Sequence, residues 1–124
     1  IHEKYFYTPK LKVYDKVKGS VVKPISQNTV YQLRRHYIRE SKRNICPTLL
    51  ASMGTGGHNV PIILVEKGIR KLTPRECFNL QGFPKDFRFP KNLSDTSLYK
   101  LAGNAVSVPV IRKIIKHLFL CVSR

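Results

Sequence analysis

The sequence predicts an α+β fold in which short strands precede helices. The first half contains short runs of β-branched and aromatic residues separated by Gly and Pro, and the clearest run covers residues 60–65. The second half contains a helix-capping sequence at residues 73–76 and an amphipathic pattern over residues 107–121. Strand signals therefore dominate the first half and helix signals the second.

The charge of the chain indicates a polyanionic partner. Its 124 residues contain 23 Lys and Arg against 7 Asp and Glu, a formal net charge of +16. Repulsion of this size opposes a compact state, so such an excess is typical of proteins that bind nucleic acid. An RNA, an anionic membrane surface and a solvated basic face without a ligand are the alternatives.

Two classes of protein are excluded by composition. No stretch approaches the ~18 apolar residues that a membrane span requires, so no membrane association through a span is expected. Three Cys without close pairs argue against a disulfide-stapled secreted domain.

The strand candidates follow from composition and from the breaking residues. Residues 12–14 and 20–23 are short candidates. Residues 30–43 are interpreted as strand, with a short helix as the open alternative. Residues 45–51 are predicted as a strand, and Pro47, which lacks an amide hydrogen, limits it to a sheet edge or makes it the start of a strand. The strand at 60–65 should turn at Lys67-Gly68.

The helix that begins near residue 74 carries the strongest local signals. Thr73 can accept from the amide of Glu76, and the Glu76 carboxylate can accept from the amide of Thr73. Pro74 suits the first helical position, and Gly82 can end the helix in the left-handed conformation. Arg75 is interpreted as structural, like its neighbour Glu76.

Two further helices are predicted near the end of the chain. The first covers about 95–101, is capped by Ser94 or Asp95 and is broken by Gly103-Asn104. The second covers about 107–121 and tolerates Pro109 in its first turn. Its apolar stripe needs a partner, either elsewhere in this chain or in a missing domain.

Candidate binding residues fall in two regions. Arginines cluster between residues 34 and 43, and their planar forks suit phosphate or the O6/N7 edge of guanine. A glycine-rich loop follows at 53–59, where the backbone can approach a partner closely. Arg70 and Lys71 are candidate phosphate contacts. Metal binding by His58, Cys46 and Cys77 is not favoured, because paired Cys-x-x-Cys spacing is absent. No metal site is therefore predicted.

Two segments resemble conserved motifs of the C5-cytosine DNA methyltransferases. Residues 70–84, which include Thr73-Pro74-Arg75-Glu76-Cys77, resemble the ninth motif of that family. Residues 101–110, which include Gly103-Asn104-Ala105-Val106, resemble the tenth. The order and separation of the motifs also match. Residues 31–64 are similar to the end of the target recognition domain of bacterial members.

The resemblance implies an organisation in two domains and a cofactor. Residues 1–72 would belong to a β-rich target recognition domain, residues 73–94 to the ninth-motif helix and junction, and residues 95–124 to helices that return to a Rossmann-like catalytic domain. S-adenosylmethionine would lie against Asn104, Ala105 and Val106. The alternative for Asn104 is that it only caps the last helix.

The resemblance also implies roles for the arginines and the loop. Double-stranded DNA would be the partner, and Arg43 would either recognise guanine in the major groove or contact phosphate, with Arg39 as the next candidate. The DNA-binding candidates are Arg34, Arg35, Arg39, Arg43, Thr55, Gly56, Gly57 and His58. The residues that would organise the recognition domain are Thr73, Pro74, Arg75, Glu76 and Gly82.

The family's nucleophile is not found in this sequence. It lies in a Pro-Cys dipeptide, whereas Cys46 precedes Pro47, and Cys77 and Cys121 lie in predicted helices. The chain is therefore expected to be an excised C-terminal piece or one subunit of a split enzyme. It should be inactive without an N-terminal catalytic domain. The expected location is the bacterial cytoplasm, in association with DNA. The absence of an initiator Met favours the same interpretation. A stand-alone DNA-binding or regulatory module is the alternative.

Overall fold

The described part of the protein is an α+β structure. The computed structural model describes residues 1–7, 29–34, 37–41, 45–55 and 59–122. After a 3-10 turn at Glu3–Tyr5, its strands and α-helices are β1 (Tyr31–Leu33), β2 (Ile38–Glu40), β3 (Pro61–Val65), β4 (Gly68–Lys71), α1 (Pro74–Leu80), α2 (Asp95–Asn104) and α3 (Val108–Val122). The predicted order of strands before helices is confirmed. The strand candidates at 12–14 and 20–23 lie outside the described residues.

The four strands form one antiparallel sheet in the order β2-β1-β3-β4. Residues 30–43 thus supply β1 and β2, and the Arg34 amide donates to the Tyr37 carbonyl at 2.9 Å between them. Successive side chains of a strand point to opposite faces. One face carries a cluster formed by Tyr31, Leu33, Ile62 and Ile69.

The opposite face of the sheet carries a buried polar side chain at its centre. Gln32 of β1 lies opposite Arg39 of β2 and opposite Pro61 of β3. Gln32 is 1% exposed, although its neighbours Tyr31 and Leu33 point to the other face. A fully buried carboxamide in a three-residue strand is the least expected feature of this sheet.

A second hydrophobic cluster joins the sheet to the helices. Its members come from the segment between β2 and β3, from the residues next to the ends of β3 and β4, and from the two helices, and are Leu49, Met53, Val60, Leu72, Cys77, Phe78, Tyr99 and Ala102. Tyr99 of α2 is 1% exposed, and its hydroxyl donates to the Leu72 carbonyl at the end of β4. The helices α1 and α2 therefore share one core with the 49–53 segment and with the residues that flank β3 and β4.

The strand predicted at 45–51 is wrong. Residues 45–50 have no regular structure and residues 51–54 form a turn. Pro47 cannot donate to a ladder, and the backbone of Leu50 and Ala51 lies directly against Gly103 of α2. Contact with a helix therefore replaces pairing with a strand.

The helix boundaries confirm most of the local signals. Thr73 caps α1, Pro74 occupies the first turn, and Gly82 follows the helix with a φ of 84°. Ser94 caps α2, as predicted. The break predicted at Gly103-Asn104 is wrong, because α2 continues through both residues. At Gly103 the missing side chain permits the close contact with Leu50, and this packing outweighs the weak helix propensity of Gly.

The last helix, α3, has no buried residue along its fifteen positions. Its large apolar side chains are exposed, at 54% for Val110, 59% for Leu118 and 84% for Val122. Among the described helices, none has the length and apolar character needed to cross a membrane.

Candidate functional site

The start of α1 is held by a buried ion pair. Arg70 of β4 is 5% exposed, and its Nη1 and Nη2 donate to Glu76 Oε2 and Oε1 at 2.9 and 2.8 Å. The Thr73 amide donates to Glu76 Oε2 at 2.7 Å, and the Glu76 amide donates to Thr73 Oγ1 at 3.2 Å. The predicted capping box is confirmed. The expected phosphate contact by Arg70 is wrong, because its guanidinium is buried against Glu76.

The Glu76 carboxylate is stabilised in its charged form. Burial raises the pKa of the Glu76 carboxyl, but hydrogen bonds from Arg70 and Thr73 lower it further than burial raises it. The resulting pKa lies below the ordinary 4.5 of Glu. Glu76 therefore stays ionised at neutral pH and supports the charge of Arg70.

Arg75 of α1 lies against an aromatic cluster formed by α1 and the segment that follows it. Its guanidinium carbon is 3.9 Å from the centroid of the Phe89 ring, and Phe89 packs on Phe78 of α1 with ring centroids 4.9 Å apart. A cation over an aromatic face is stabilised by the ring quadrupole. Pro74 is buried. These contacts fit the structural interpretation of Pro74 and Arg75.

Gln81 connects the end of α1 to the segment that follows α2. Its Nε2 donates to the carbonyls of Ala102 and Ala105 at 3.1 and 3.3 Å. Its own carbonyl accepts from the Val108 amide, the first residue of α3, at 2.8 Å. The side chain and the main-chain carbonyl of Gln81 thus connect the ninth-motif segment to both ends of the tenth-motif turn.

The three candidate cofactor residues lie together between α2 and α3. Asn104 is the last residue of α2 and is exposed, Ala105 is the C-cap, and Val106 is 63% exposed. Asn104 therefore ends α2 and does not cap α3. A cleft of about 370 Å³ adjoins this turn and is lined by residues 46–49 and by Leu80, Gln81, Gly103, Ala105 and Ser107.

Two of the four candidate arginines lie at a second cleft. Arg34 is half-buried at the end of β1, with Nη1 3.5 Å from Asn59 Oδ1, and Arg39 is exposed on β2. Both line a cleft of about 450 Å³, together with Gln32, Glu40, Ser41 and residues 45–48. Arg35 and Arg43 lie outside the described residues.

Thr55 and Asn59 flank the glycine-rich loop. Thr55 is exposed, and its hydroxyl donates to the Ser52 carbonyl at 2.7 Å. Asn59 has a φ of 68°, its amide donates to the Leu33 carbonyl at 2.7 Å, and its Nδ2 donates to Ser52 Oγ at 3.2 Å. Asn59 thus fixes the loop to β1. Gly56, Gly57 and His58 lie outside the described residues.

The two cysteines near the core are poor nucleophiles. Burial raises the pKa of the Cys46 thiol to about 11 and that of the Cys77 thiol to about 12. Both are protonated at neutral pH, whereas the thiolate is the reactive form. Cys121 is exposed on α3. Among the described residues, no group of three or more His, Cys, Asp or Glu is placed to hold a metal ion.

The comparison with known proteins decides the family. The sequence model of the C-5 cytosine-specific DNA methylase family matches residues 3–120. The chain belongs to this family.

Three relatives give the scale of the match. The chain is 52% identical over 120 residues to the Type II methyltransferase M.Bsp6I of Bacillus sp. strain RFL6, covering 96% of this chain and 37% of that protein. It is 36% identical over 97 residues to M.HgiCI of Herpetosiphon aurantiacus, covering 77% and 21%. It is 54% identical over 55 residues to M.SsoII of Shigella sonnei, covering 43% and 14%.

The chain therefore spans 37%, 21% and 14% of the length of these three relatives. No solved structure matches it at a significant level.

The roles of three residues of the site were not found from the sequence, which predicted Arg70 only as a phosphate contact. Gln32 is buried at the second cleft, Arg70 supports Glu76, and Gln81 holds the turn before α3. Each acts through a partner that only the fold brings near. The one sequence signal for Gln32 is its position between two apolar strand residues, which places it on the opposite face.

Proposed function

We propose that this chain is the C-terminal part of a DNA (cytosine-5-)-methyltransferase from a restriction–modification system. It contacts a short duplex site and completes the S-adenosylmethionine pocket of a larger enzyme. The observation that carries the proposal is α3, an exposed apolar helix that directly follows the tenth-motif turn.

The exposed face of α3 requires a cover. Val110, Ile114, Leu118 and Val122 are each between 48% and 84% exposed, and the described residues bury none of them. A contiguous apolar face of this kind marks an interaction surface. The proposed cover is a Rossmann-like catalytic domain, which would place Asn104, Ala105 and Val106 at the cofactor.

The residues of this chain have a limited part in the chemistry. S-adenosylmethionine supplies the methyl group for C5 of a flipped cytosine when it is bound. Asn104, Ala105 and Val106 would position it, with the turn held by Gln81. The raised pKa values of Cys46 and Cys77 support a nucleophile located elsewhere in the enzyme.

The DNA surface proposed for the chain is its arginine-rich edge. Arg34 and Arg39 line the cleft beside β1 and β2, and Thr55 belongs to the loop that Asn59 fixes to β1. The sequence neighbours Arg35, Arg43, Gly56, Gly57 and His58 complete the proposed contact set. The net charge of +16 supports a polyanionic partner.

The deciding experiment is reconstitution. The chain alone should bind duplex DNA with an affinity that falls steeply with salt, by a log–log slope of about −0.9 per neutralised phosphate. It should transfer no methyl group alone and should do so when it is combined with the remaining part of the enzyme, as mapped by bisulfite sequencing. A complete enzyme that leaves cytosine unmodified contradicts the proposal.

A stand-alone DNA-binding module is the second candidate, and the charge of +16 favours it equally. It leaves the exposed face of α3 without an explanation. Steep, salt-dependent DNA binding without any gain of methylation in the reconstituted mixture would support this candidate instead.

A further inference from the structure

A buried carboxamide oxygen without a hydrogen-bond partner lies at the second cleft. Gln32 is 1% exposed, and among the described residues no donor reaches its Oε1. Its Nε2 donates to the Asn59 carbonyl at 3.4 Å. This contact fixes the orientation of the carboxamide. If the amide were turned round, Oε1 would face the carbonyl oxygen of Asn59, and two acceptors repel each other.

A hydrogen-bond donor at the same cleft also lacks a partner among the described residues. Arg34 Nε is buried and has no acceptor among the described residues, although Nη1 lies near Asn59. Arg39 lies opposite Gln32 in the β1–β2 register and is exposed. The cleft therefore presents one unused acceptor beside two guanidinium groups. Buried polar atoms of this kind cost free energy unless they find a partner.

The chemistry of DNA restricts what can supply that partner. Phosphate and deoxyribose oxygens within a strand are acceptors, so neither can donate to Gln32 Oε1. The donors of DNA are the amino and imino groups of the bases. A base edge that offers an amino group beside ring nitrogen or carbonyl acceptors satisfies Gln32 and an arginine at once.

We propose that Gln32 is a specificity-determining residue that accepts a hydrogen bond from the exocyclic amino group of a base in the target site, with Arg34 and Arg39 on the acceptor atoms of the same edge. The proposal rests on the proposed function, since it requires this cleft to face the DNA. The sequence alone attributes recognition of bases to arginines. The proposal adds Gln32, a buried residue of the sheet, to the side chains that determine which DNA sequence is preferred.

A water molecule in the cleft is the competing occupant. Water can donate to Oε1 in the free protein, and a base that replaces it gains the directional contact. The two interpretations differ in their consequence. A water site contributes to stability alone, whereas a base contact makes the preferred DNA sequence depend on Gln32.

The test uses the complete methyltransferase and a library of duplexes with randomised positions, read by bisulfite sequencing. The Gln32→Met substitution removes the acceptor at similar size and should reduce the preference at one base pair by roughly 10- to 100-fold. Asn79→Met makes a comparable amide-to-thioether change at an exposed position of α1 and is the control.

A second measurement connects the effect to the amino group. Purine, inosine or 2-pyrimidinone in place of the preferred adenine, guanine or cytosine deletes that group. This replacement should lower kcat/KM of the unsubstituted enzyme by the same factor as the Gln32→Met substitution lowers the base preference. It should change kcat/KM of the Gln32→Met variant little.

Unchanged base preferences in Gln32→Met, with or without a loss of thermal stability, overturn the inference. Absence of methylation by the unsubstituted enzyme instead contradicts the proposed function on which the inference rests.

Discussion

Glu76 accepts hydrogen bonds from both terminal nitrogens of Arg70, at 2.8 and 2.9 Å, across the junction between the last strand and the first helix. The same carboxylate accepts from the amide of Thr73. One side chain therefore neutralises a buried guanidinium and satisfies a free amide at the start of α1. The link between sheet and helix depends on this carboxylate.

The Glu76→Ala substitution should destabilise the chain by about 3 kcal/mol. The loss has this size because Arg70 would remain buried without a counter-charge. Urea unfolding followed by circular dichroism measures it. Glu66→Ala removes an exposed carboxylate in the β3–β4 turn and should change the free energy of unfolding by less than about 0.5 kcal/mol. Equal unfolding midpoints for the two variants would contradict the assignment.

The contribution of Glu76 should depend on pH in one direction. The pKa of Glu76 in the folded protein lies below 4.5, so its stabilising effect is complete above that value and is lost as pH falls through the folded pKa. The difference in unfolding free energy between the unsubstituted chain and Glu76→Gln should thus be constant from pH 7 to about 5 and should shrink in more acidic solution. The carboxyl of Asp95, whose pKa is also lowered, is common to both proteins and cancels. A difference that grows on acidification would refute this account.

The Gly103→Ala substitution should destabilise the chain although Ala favours helix. A β-carbon at this position would overlap the backbone of Leu50 and Ala51, which cannot move aside as a flexible side chain would. The expected cost is about 2 kcal/mol, since overpacking outweighs the gain in propensity of about 1 kcal/mol. Thermal denaturation measures it, with the exposed α2 variant Lys100→Ala as the control. A stabilised Gly103→Ala variant would show that this contact is absent in solution.

The Gln81→Leu substitution should weaken S-adenosylmethionine binding by the complete enzyme by about 30-fold, which corresponds to about 2 kcal/mol. Two carbonyls of the tenth-motif turn lose their donor, and each such bond contributes about 1 kcal/mol. Isothermal titration with the cofactor and, separately, with duplex DNA distinguishes a local effect from general damage. Cofactor affinity should fall while DNA affinity changes little. Equal losses for both ligands, or none for either, would exclude a positioning role, and Asn79→Leu is the matched control on α1.

The Leu118→Gln substitution should affect assembly without affecting the chain alone. Leu118 is 59% exposed on α3, so its replacement leaves the unfolding free energy of the isolated chain within about 0.5 kcal/mol. Reconstitution with the remaining part of the enzyme should weaken measurably, because the apolar face is then interrupted. Lys116→Gln, on the same helix and exposed, should have little effect. Unchanged reconstitution by Leu118→Gln would show that this face is not the interface.

The features predicted correctly depend on local signals. The start of α1 follows from Thr73, Pro74 and Glu76, which interact within one turn, and its end from Gly82. Gly68, with a φ of 123°, permits the turn into β4 in the same way. Signals confined to four or five residues are independent of the rest of the fold, so the sequence is sufficient to place them.

The wrong predictions concern residues whose local structure is determined by contacts with residues far away in the sequence. Residues 45–51 contain strand-forming side chains, but the contact between Leu50 and Gly103 joins segments more than fifty positions apart and keeps the region irregular. The same contact allows α2 to continue past Gly103, where the low helix propensity of Gly alone predicts that the helix ends. For the same reason Gln32 was missed and Arg70 was assigned to phosphate, since the burial of a polar side chain depends on partners that local pattern does not specify.

The shared core has a consequence for the engineering of hybrid enzymes. Leu49 and Met53 pack in one cluster with Phe78, Tyr99 and Ala102, and a β-carbon on Gly54 would lie 2.8 Å from the Tyr99 ring. A chimera joined just before Thr73 would combine the two halves of this cluster from different parents and mismatch their packing. Transplants that move residues 29–107 as one unit keep the cluster intact, so exchange of sequence selectivity between relatives should succeed with long grafts and fail with short ones.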